Sequence, residues 1–175
     1  MLPRRVLEDL PHTFSLALRT TPDNHAKAYE IMDLFHYPSV LVSLERTAGN
    51  IRQVMARTGS AHKKVHIIDP LSRVIGSYLN PKQTTHVPYN LGHIMEAVEK
   101  KVQEFPMRER LVIMDGVHAL SLVYDAETIK AFLKYSDARL KMHHAKVVYT
   151  YHLDKLGEEM KEVIDRLADK VVEIP

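Results

Sequence analysis

The run Leu111-Val112-Ile113-Met114, preceded by Glu109-Arg110 and followed by Asp115-Gly116, constrains this chain more than any other stretch. Four consecutive apolar residues between charges show no alternating polar side to water. The segment therefore reads as a central strand of a parallel sheet, buried on both faces. Such a strand delivers its last residue, Asp115, to the carboxyl edge of the sheet, where open α/β folds place their ligands. An aspartate there also suits the simpler role of N-cap for whatever follows.

The rest of the chain supplies partners for that strand. Apolar runs predict further strands at Thr13–Leu18, Ser39–Leu44, Val65–Asp69, Lys146–Thr150 and Lys170–Ile174. Helices are expected between them. The first should run from Pro22 to about His36, capped by Thr21 with Asp23 at its positive end, and bury Ala28, Ile31, Met32 and Phe35. Others follow over Ala48–Thr58, stopped by Gly59, then Leu91–Glu104, Ala126 to about His143, and Leu153–Leu167. Residues 71–90, with Asn80-Pro81 and Val87-Pro88, read as a surface excursion. Strands alternating with helices mean a parallel α/β sheet with right-handed crossovers. Leu111–Asp115 and Thr13–Leu18 are expected as interior neighbours, flanked by the strands at Val40 and Val147. Without a linker or internal repeat, residues 1–175 read as one domain.

Composition narrows the function. A chain of 175 residues with 45% hydrophobic and 26% charged residues suits one globular domain. The net charge of +2 argues against a nucleic-acid coat, and no apolar run approaches the ~20 residues of a membrane helix. Met1-Leu2-Pro3-Arg4-Arg5 has no apolar core behind its arginines, so it does not read as a signal peptide. Cysteine is absent, which removes disulfides and thiolate chemistry and suits a cytoplasmic protein.

A hydrophobic run ending in Asp is also the Walker B pattern, whose carboxylate holds Mg²⁺ beside nucleotide phosphates. Together with Val40-Leu41-Val42-Ser43-Leu44-Glu45, Val65–Asp69, the Asp-Gly-Val-His-Ala-Leu of residues 115–120, and the closing strands, it resembles the RecA-like ATPases, and within them the KaiC-type family of archaea and bacteria. The resemblance runs from about Leu10 to Ile174. It implies a RecA-like three-layer sandwich with a mainly parallel central sheet, and a tendency to assemble side by side. One part departs from that family's pattern. Where it carries G-x-x-x-x-G-K-[ST], this chain reads Arg19-Thr20-Thr21-Pro22-Asp23-Asn24-His25-Ala26-Lys27-Ala28, with no glycine before Gly49. A phosphate cradle needs glycines to turn successive N–H groups inward. Pro22 has no N–H, Asp23 brings the wrong charge, and Lys27 has no Ser or Thr behind it.

The carboxyl-edge rule gathers Arg19, Thr20, Glu45, Arg46, Asp69, Asp115, His118, Thr150 and His152 along one side of the sheet. Glu45 and Asp115 are the candidates for a vestigial catalytic pair. Arg19, Thr20, Lys27, Asp115 and Thr150 are the candidates for nucleotide contact. Asp115 leads as a metal ligand, with Glu45, His118 and His152 able to join it, since carboxylate and imidazole together suit Mg²⁺, Mn²⁺ or Zn²⁺. His25 and His36 read as helix-surface residues, and His66 as a satisfied core histidine. Two functions are expected. The first is a non-catalytic RecA-like domain without a cofactor, binding a protein partner, a second copy of itself or an active RecA-like ATPase. The second is an ATPase or sensor that holds ATP and Mg²⁺ through Glu45 and Asp115. Membrane and nucleic acid are not expected partners.

Overall fold

The computed structural model describes residues 7, 10–30, 35, 38–59, 64–76 and 82–174. Seven strands are present among them: β1 (Ser15–Thr20), β2 (Ser39–Ser43), β3 (Val65–Asp69), β4 (Thr84–His86), β5 (Leu111–Asp115), β6 (Lys146–His152) and β7 (Lys170–Glu173). They form one sheet in the order β4-β3-β2-β5-β6-β1-β7, and every pairing is parallel. The helices between them are α1 (Ala48–Thr58), α2 (Leu71–Val74), α3 (Leu91–Gln103), α4 (Ala126–Met142) and α5 (Glu158–Leu167). This is the three-layer α/β sandwich that the sequence predicts.

The alternation of strand side chains divides the core into two apolar layers. Leu111 and Ile113 of β5 join Leu16, Leu18, Leu41, Ile67 and Val148 on one face, covered by Ala28, Tyr29, Ile51 and Met55. Val112 and Met114 join Val42, Val147 and Tyr149 on the other, under Val98, Leu133, Leu140 and Ile164. Helix ends are set locally. The Thr47 hydroxyl accepts from Asn50 N at 3.3 Å, and Gly59, at φ 82°, closes α1. Asn90 and Asp125 cap α3 and α4 in the same way.

Four expectations need correction. β1 and β5 are not neighbours, because β6 lies between them and pairs with both. The helix expected from Pro22 is replaced, in its described part, by a turn and a short 3₁₀ helix over His25–Glu30. Asn24 causes this: its side chain folds back to accept from Thr21 N at 2.7 Å, competing with the helical cap. Asp23 is consequently exposed outside the helix, and residues 31–34 and 36 of the expected helix lie outside the described residues. The helix expected over Leu153–Leu167 is broken, with a 3₁₀ turn at Leu153–Lys155 before Gly157 starts α5. Finally, the supposed excursion contains α2 and β4, while residues 77–81 lie outside the described part.

Candidate functional site

The same alternation decides what stands at the carboxyl edge. Thr20 continues the Leu16–Leu18 side of β1, Asp115 the Leu111–Ile113 side of β5, and Thr150 and His152 the Val148 side of β6. All four face the layer that carries the His25–Glu30 turn. Register brings them level, Thr20 opposite His152 and Ser43 opposite Asp115. Glu45 follows β2 by two residues, and His118 stands on the 3₁₀ turn Val117–Leu122 after β5. Gly116 makes this junction possible. It holds φ 77°, and a Cβ there would meet Glu45 Cβ at 2.8 Å.

Asp115 is the centre of the site and is fully buried. Its Oδ1 lies 2.9 Å from His25 Nε2 and accepts from the Thr150 hydroxyl at 2.8 Å. Its Oδ2 accepts from the Tyr29 hydroxyl at 2.8 Å. Burial pushes the carboxyl pKa up, but hydrogen bonding and electrostatic attraction from His25, with the hydrogen bonds of Thr150 and Tyr29, hold it below its ordinary value. The buried Tyr29 phenol is raised in turn, by desolvation first and the Asp115 charge second. Thr150 also accepts from Gly116 N at 2.9 Å, fixing its rotor.

Beyond His25 the network continues through imidazoles. His25 Nδ1 lies 3.1 Å from Thr20 Oγ1 and 2.9 Å from His152 Nε2. The Thr20 hydroxyl donates to Tyr151 O at 3.1 Å. His152 stacks on His118 with centroids 4.2 Å apart, and its backbone N–H donates to His118 Nδ1 at 3.2 Å. Glu45 stands at the rim, its Oε1 taking Lys155 Nζ at 2.8 Å and lying 3.2 Å from His118 Nε2. Contact with His118, followed by Lys155, outweighs burial and keeps the Glu45 carboxyl well below its ordinary range. Burial, helped by His118, lowers His152 to about 4, so its ring is neutral near pH 7.

The sequence-derived candidates are therefore sorted by the structure. Thr20, Asp115, Thr150, His118, His152 and Glu45 come together. Arg19 does not: it points to the opposite face, where it bonds Tyr151 at 3.0 Å and pairs with Asp165. Lys27 is exposed on the 3₁₀ turn. Arg46 lends its carbonyl to the Ser43 hydroxyl. Asp69 accepts from Ala48 N, Ser72 N and the Ser72 hydroxyl, tying the starts of α1 and α2 to β3. His25 corrects the sequence reading, since it is fully buried and central rather than on a helix surface. Its spacing to Ala28 and Tyr29, three and four residues on, was the available signal, because those two residues line the buried face. His66 is half-buried and satisfied by Thr85 at 2.8 Å.

No protein-family model matches the chain, and no curated protein does. Solved structures do. A KaiC-like protein from the hyperthermophilic archaeon Pyrococcus horikoshii shares 16% identity, over 93% of this chain and 72% of its own, at a TM-score of 0.63. An uncharacterized protein of the same archaeon, solved with an unknown peptide, shares 13% identity over 97% and 80%, at a TM-score of 0.75. The flagellar accessory protein FlaH from Methanocaldococcus jannaschii shares 15% over 97% and 74%, at 0.53. At such identities the likeness establishes the fold, which is RecA-like.

Proposed function

We propose that this chain is a non-catalytic RecA-like domain that acts as an interaction or regulatory protein, with its nucleotide site closed by its own side chains. The observation that carries the reading is the state of Asp115. In a P-loop fold the carboxylate at this place serves Mg²⁺ beside the phosphates. Here both of its oxygens are buried and accept protein hydrogen bonds, from His25 and Thr150 on one side and Tyr29 on the other. This arrangement supports a site closed to Mg²⁺ and a triphosphate. The His25 ring bridges Thr20 of β1 and Asp115, and the turn before it has a proline and an acid where a cradle needs inward N–H groups.

A partner of protein character is supported by the surface beside the site. Leu44, Leu71, Val74, Tyr89, Ala119, Leu122 and Val123 line an apolar groove next to Glu45. Leu122 is 85% exposed and Val74, Ile75 and Val123 are exposed with it. Contiguous apolar surface of this kind marks interaction sites in soluble proteins. One structural relative holds a peptide, which favours a peptide segment as the occupant. A second copy of the chain, or an active RecA-like ATPase, could supply that segment. No helix among the described residues is long and apolar enough to cross a membrane.

Calorimetric titration with Mg²⁺-ATP tests the reading. No saturable heat is expected at millimolar nucleotide, in the parent or in Asp115→Asn. Micromolar binding that Asp115→Asn abolishes would instead establish the ATPase or sensor function through Glu45 and Asp115.

A further inference from the structure

The end of the network at Glu45 brings two imidazoles and a carboxylate together, and buried polar atoms of Glu45 and His152 there lack a hydrogen-bond partner. His25 Nε2 is directed to Asp115, so its proton sits there and Nδ1 carries a lone pair. Thr20 gives its hydroxyl proton to Tyr151 O, so a lone pair of Oγ1 also faces that nitrogen. Glu45 Oε1 is taken by Lys155, whereas Oε2 is buried without a hydrogen bond. His152 Nε2 lies 2.9 Å from His25 Nδ1 and 3.8 Å from Glu45 Oε2. In the ion-free site His152 Nε2–H donates to His25 Nδ1 and leaves His152 Nδ1 buried without a partner, whereas the other neutral tautomer, with its proton on Nδ1, turns both facing nitrogens into ligands. In that second tautomer the lone pairs of two imidazoles stand within reach of the Glu45 carboxylate. A buried cluster of acceptors is costly unless a cation satisfies it.

We propose that His25 Nδ1, His152 Nε2 and Glu45 Oε2 bind one divalent transition-metal ion, with Zn²⁺ as the type. One ligand atom from each of these three residues lies within 4.8 Å of the others. Zinc takes imidazole nitrogen and carboxylate oxygen at about 2.0–2.2 Å in a tetrahedron. Ligand atoms in such a site stand roughly 3.3 Å apart, so the observed separations need only small rotamer shifts to close on an ion. Two nitrogens and one oxygen are a borderline donor set, which favours Zn²⁺ over the oxygen-seeking Mg²⁺. The surroundings also suit a metal ligand's support. Asp115 holds the far nitrogen of His25 and fixes its tautomer, the carboxylate–histidine arrangement that orients imidazole on metals. Lys155 and His118 orient Glu45 in the same way. Asp115 would thus be a positioning residue for the ion rather than a ligand. The inference goes beyond partner binding and stands without it, since an ion at Glu45 neither needs nor forbids a peptide in the neighbouring groove.

Equilibrium dialysis of the full chain, stripped with a chelator and then exposed to Zn²⁺ alone, tests it. One ion per chain is expected, with a Kd of about 1 μM or tighter. Asp115→Asn should weaken binding roughly 10–100-fold through His25, and His25→Asn, His152→Asn and Glu45→Gln should weaken it further. His144→Ala, at the exposed end of α4, should leave it unchanged and so controls for binding at the other histidines. Co²⁺ in place of Zn²⁺ should give a visible spectrum that Glu45→Gln removes. Should the histidine variants fail to fold, the rim variant Glu45→Gln and a Zn²⁺-dependent rise in the parent's Tm carry the test. Substoichiometric binding, an unmoved Tm, or equal affinity in Glu45→Gln overturns the assignment. None of these readouts depends on nucleotide, so the ion site and the closed nucleotide site stand or fall separately.

Discussion

Asp115 organises the site because it is an ionised acceptor wholly surrounded by donors. Replacing it with alanine strands the Tyr29 and Thr150 hydroxyls and the His25 N–H in a dry pocket. Each buried donor left unpaired costs about 1–3 kcal/mol, so Asp115→Ala should destabilise the protein by roughly 3 kcal/mol or more in urea denaturation. Tyr29→Phe removes one donor to a charged acceptor and should cost about 1.5–3 kcal/mol. A loss below that of Tyr29→Phe in Asp115→Ala would show that the carboxylate is not the hub. Gly116 offers a second test at this scale. Alanine at φ 77° carries a left-handed penalty of about 1–2 kcal/mol, and its Cβ would also press on Glu45 Cβ at 2.8 Å. Gly116→Ala should therefore lower the melting temperature and displace Glu45. A melting temperature equal to the parent's would count against the close approach of the β5 turn to β2.

At the scale of elements, β5 is the middle of the sheet and Ile113 is buried in its apolar layer. An aspartate there would be a buried, unpaired carboxylate costing several kcal/mol, so Ile113→Asp should abolish a cooperative melt. The strand next to the edge behaves differently. His66 of β3 is lowered to about 4, by burial first and then by Lys101. Its folded pKa thus lies below the unfolded value of about 6.5. The unfolded chain takes up this proton first, so the contribution is whole above pH ~6.5 and lost as pH falls toward 4, by at most ~1.4 kcal/mol per unit. Urea midpoints at pH 6.5 and 5 should fall less for His66→Gln than for the parent. The long elements were legible because buried parallel strands cannot disguise an apolar run, and Leu111–Met114 or Val147–Tyr149 have no other reading. Strand order was not legible: nothing local to Thr13–Leu18 or Leu111–Asp115 says that β6 separates them. β4 is only Thr84-Thr85-His86, too short and too polar to show a period. The carboxyl-edge rule brought Thr20, Glu45, Asp115, His118, Thr150 and His152 to one side. It could not foresee Arg19 turning to the far face or His25 entering the centre, since both depend on turn geometry set by Asn24 and on the partner Asp165.

Across the whole molecule, the polar network and the apolar groove sit side by side at the carboxyl edge, with Glu45 belonging to both. The sheet supplies rigidity and the edge supplies surface, and the proposed loss of phosphate chemistry with a retained docking face rests on that division. Val74, Ile75, Leu122 and Val123 are exposed, so the fold gains little from their apolar character. Surface replacements away from caps and networks usually stay within about 0.5 kcal/mol. Leu122→Ser combined with Val123→Ser should therefore leave the urea midpoint nearly unchanged. The same pair should sharply reduce binding of a hydrophobic dye such as anilinonaphthalene sulfonate, which reports accessible apolar surface. If a second copy fills the groove, sedimentation of the parent will show an oligomer that the double variant dissociates. If the occupant is a foreign peptide, both will sediment as monomers and the dye result will stand alone. A large fall in stability with undiminished dye binding would mean that Leu122 and Val123 serve the core, and the docking face would have to be sought elsewhere on the sheet edge.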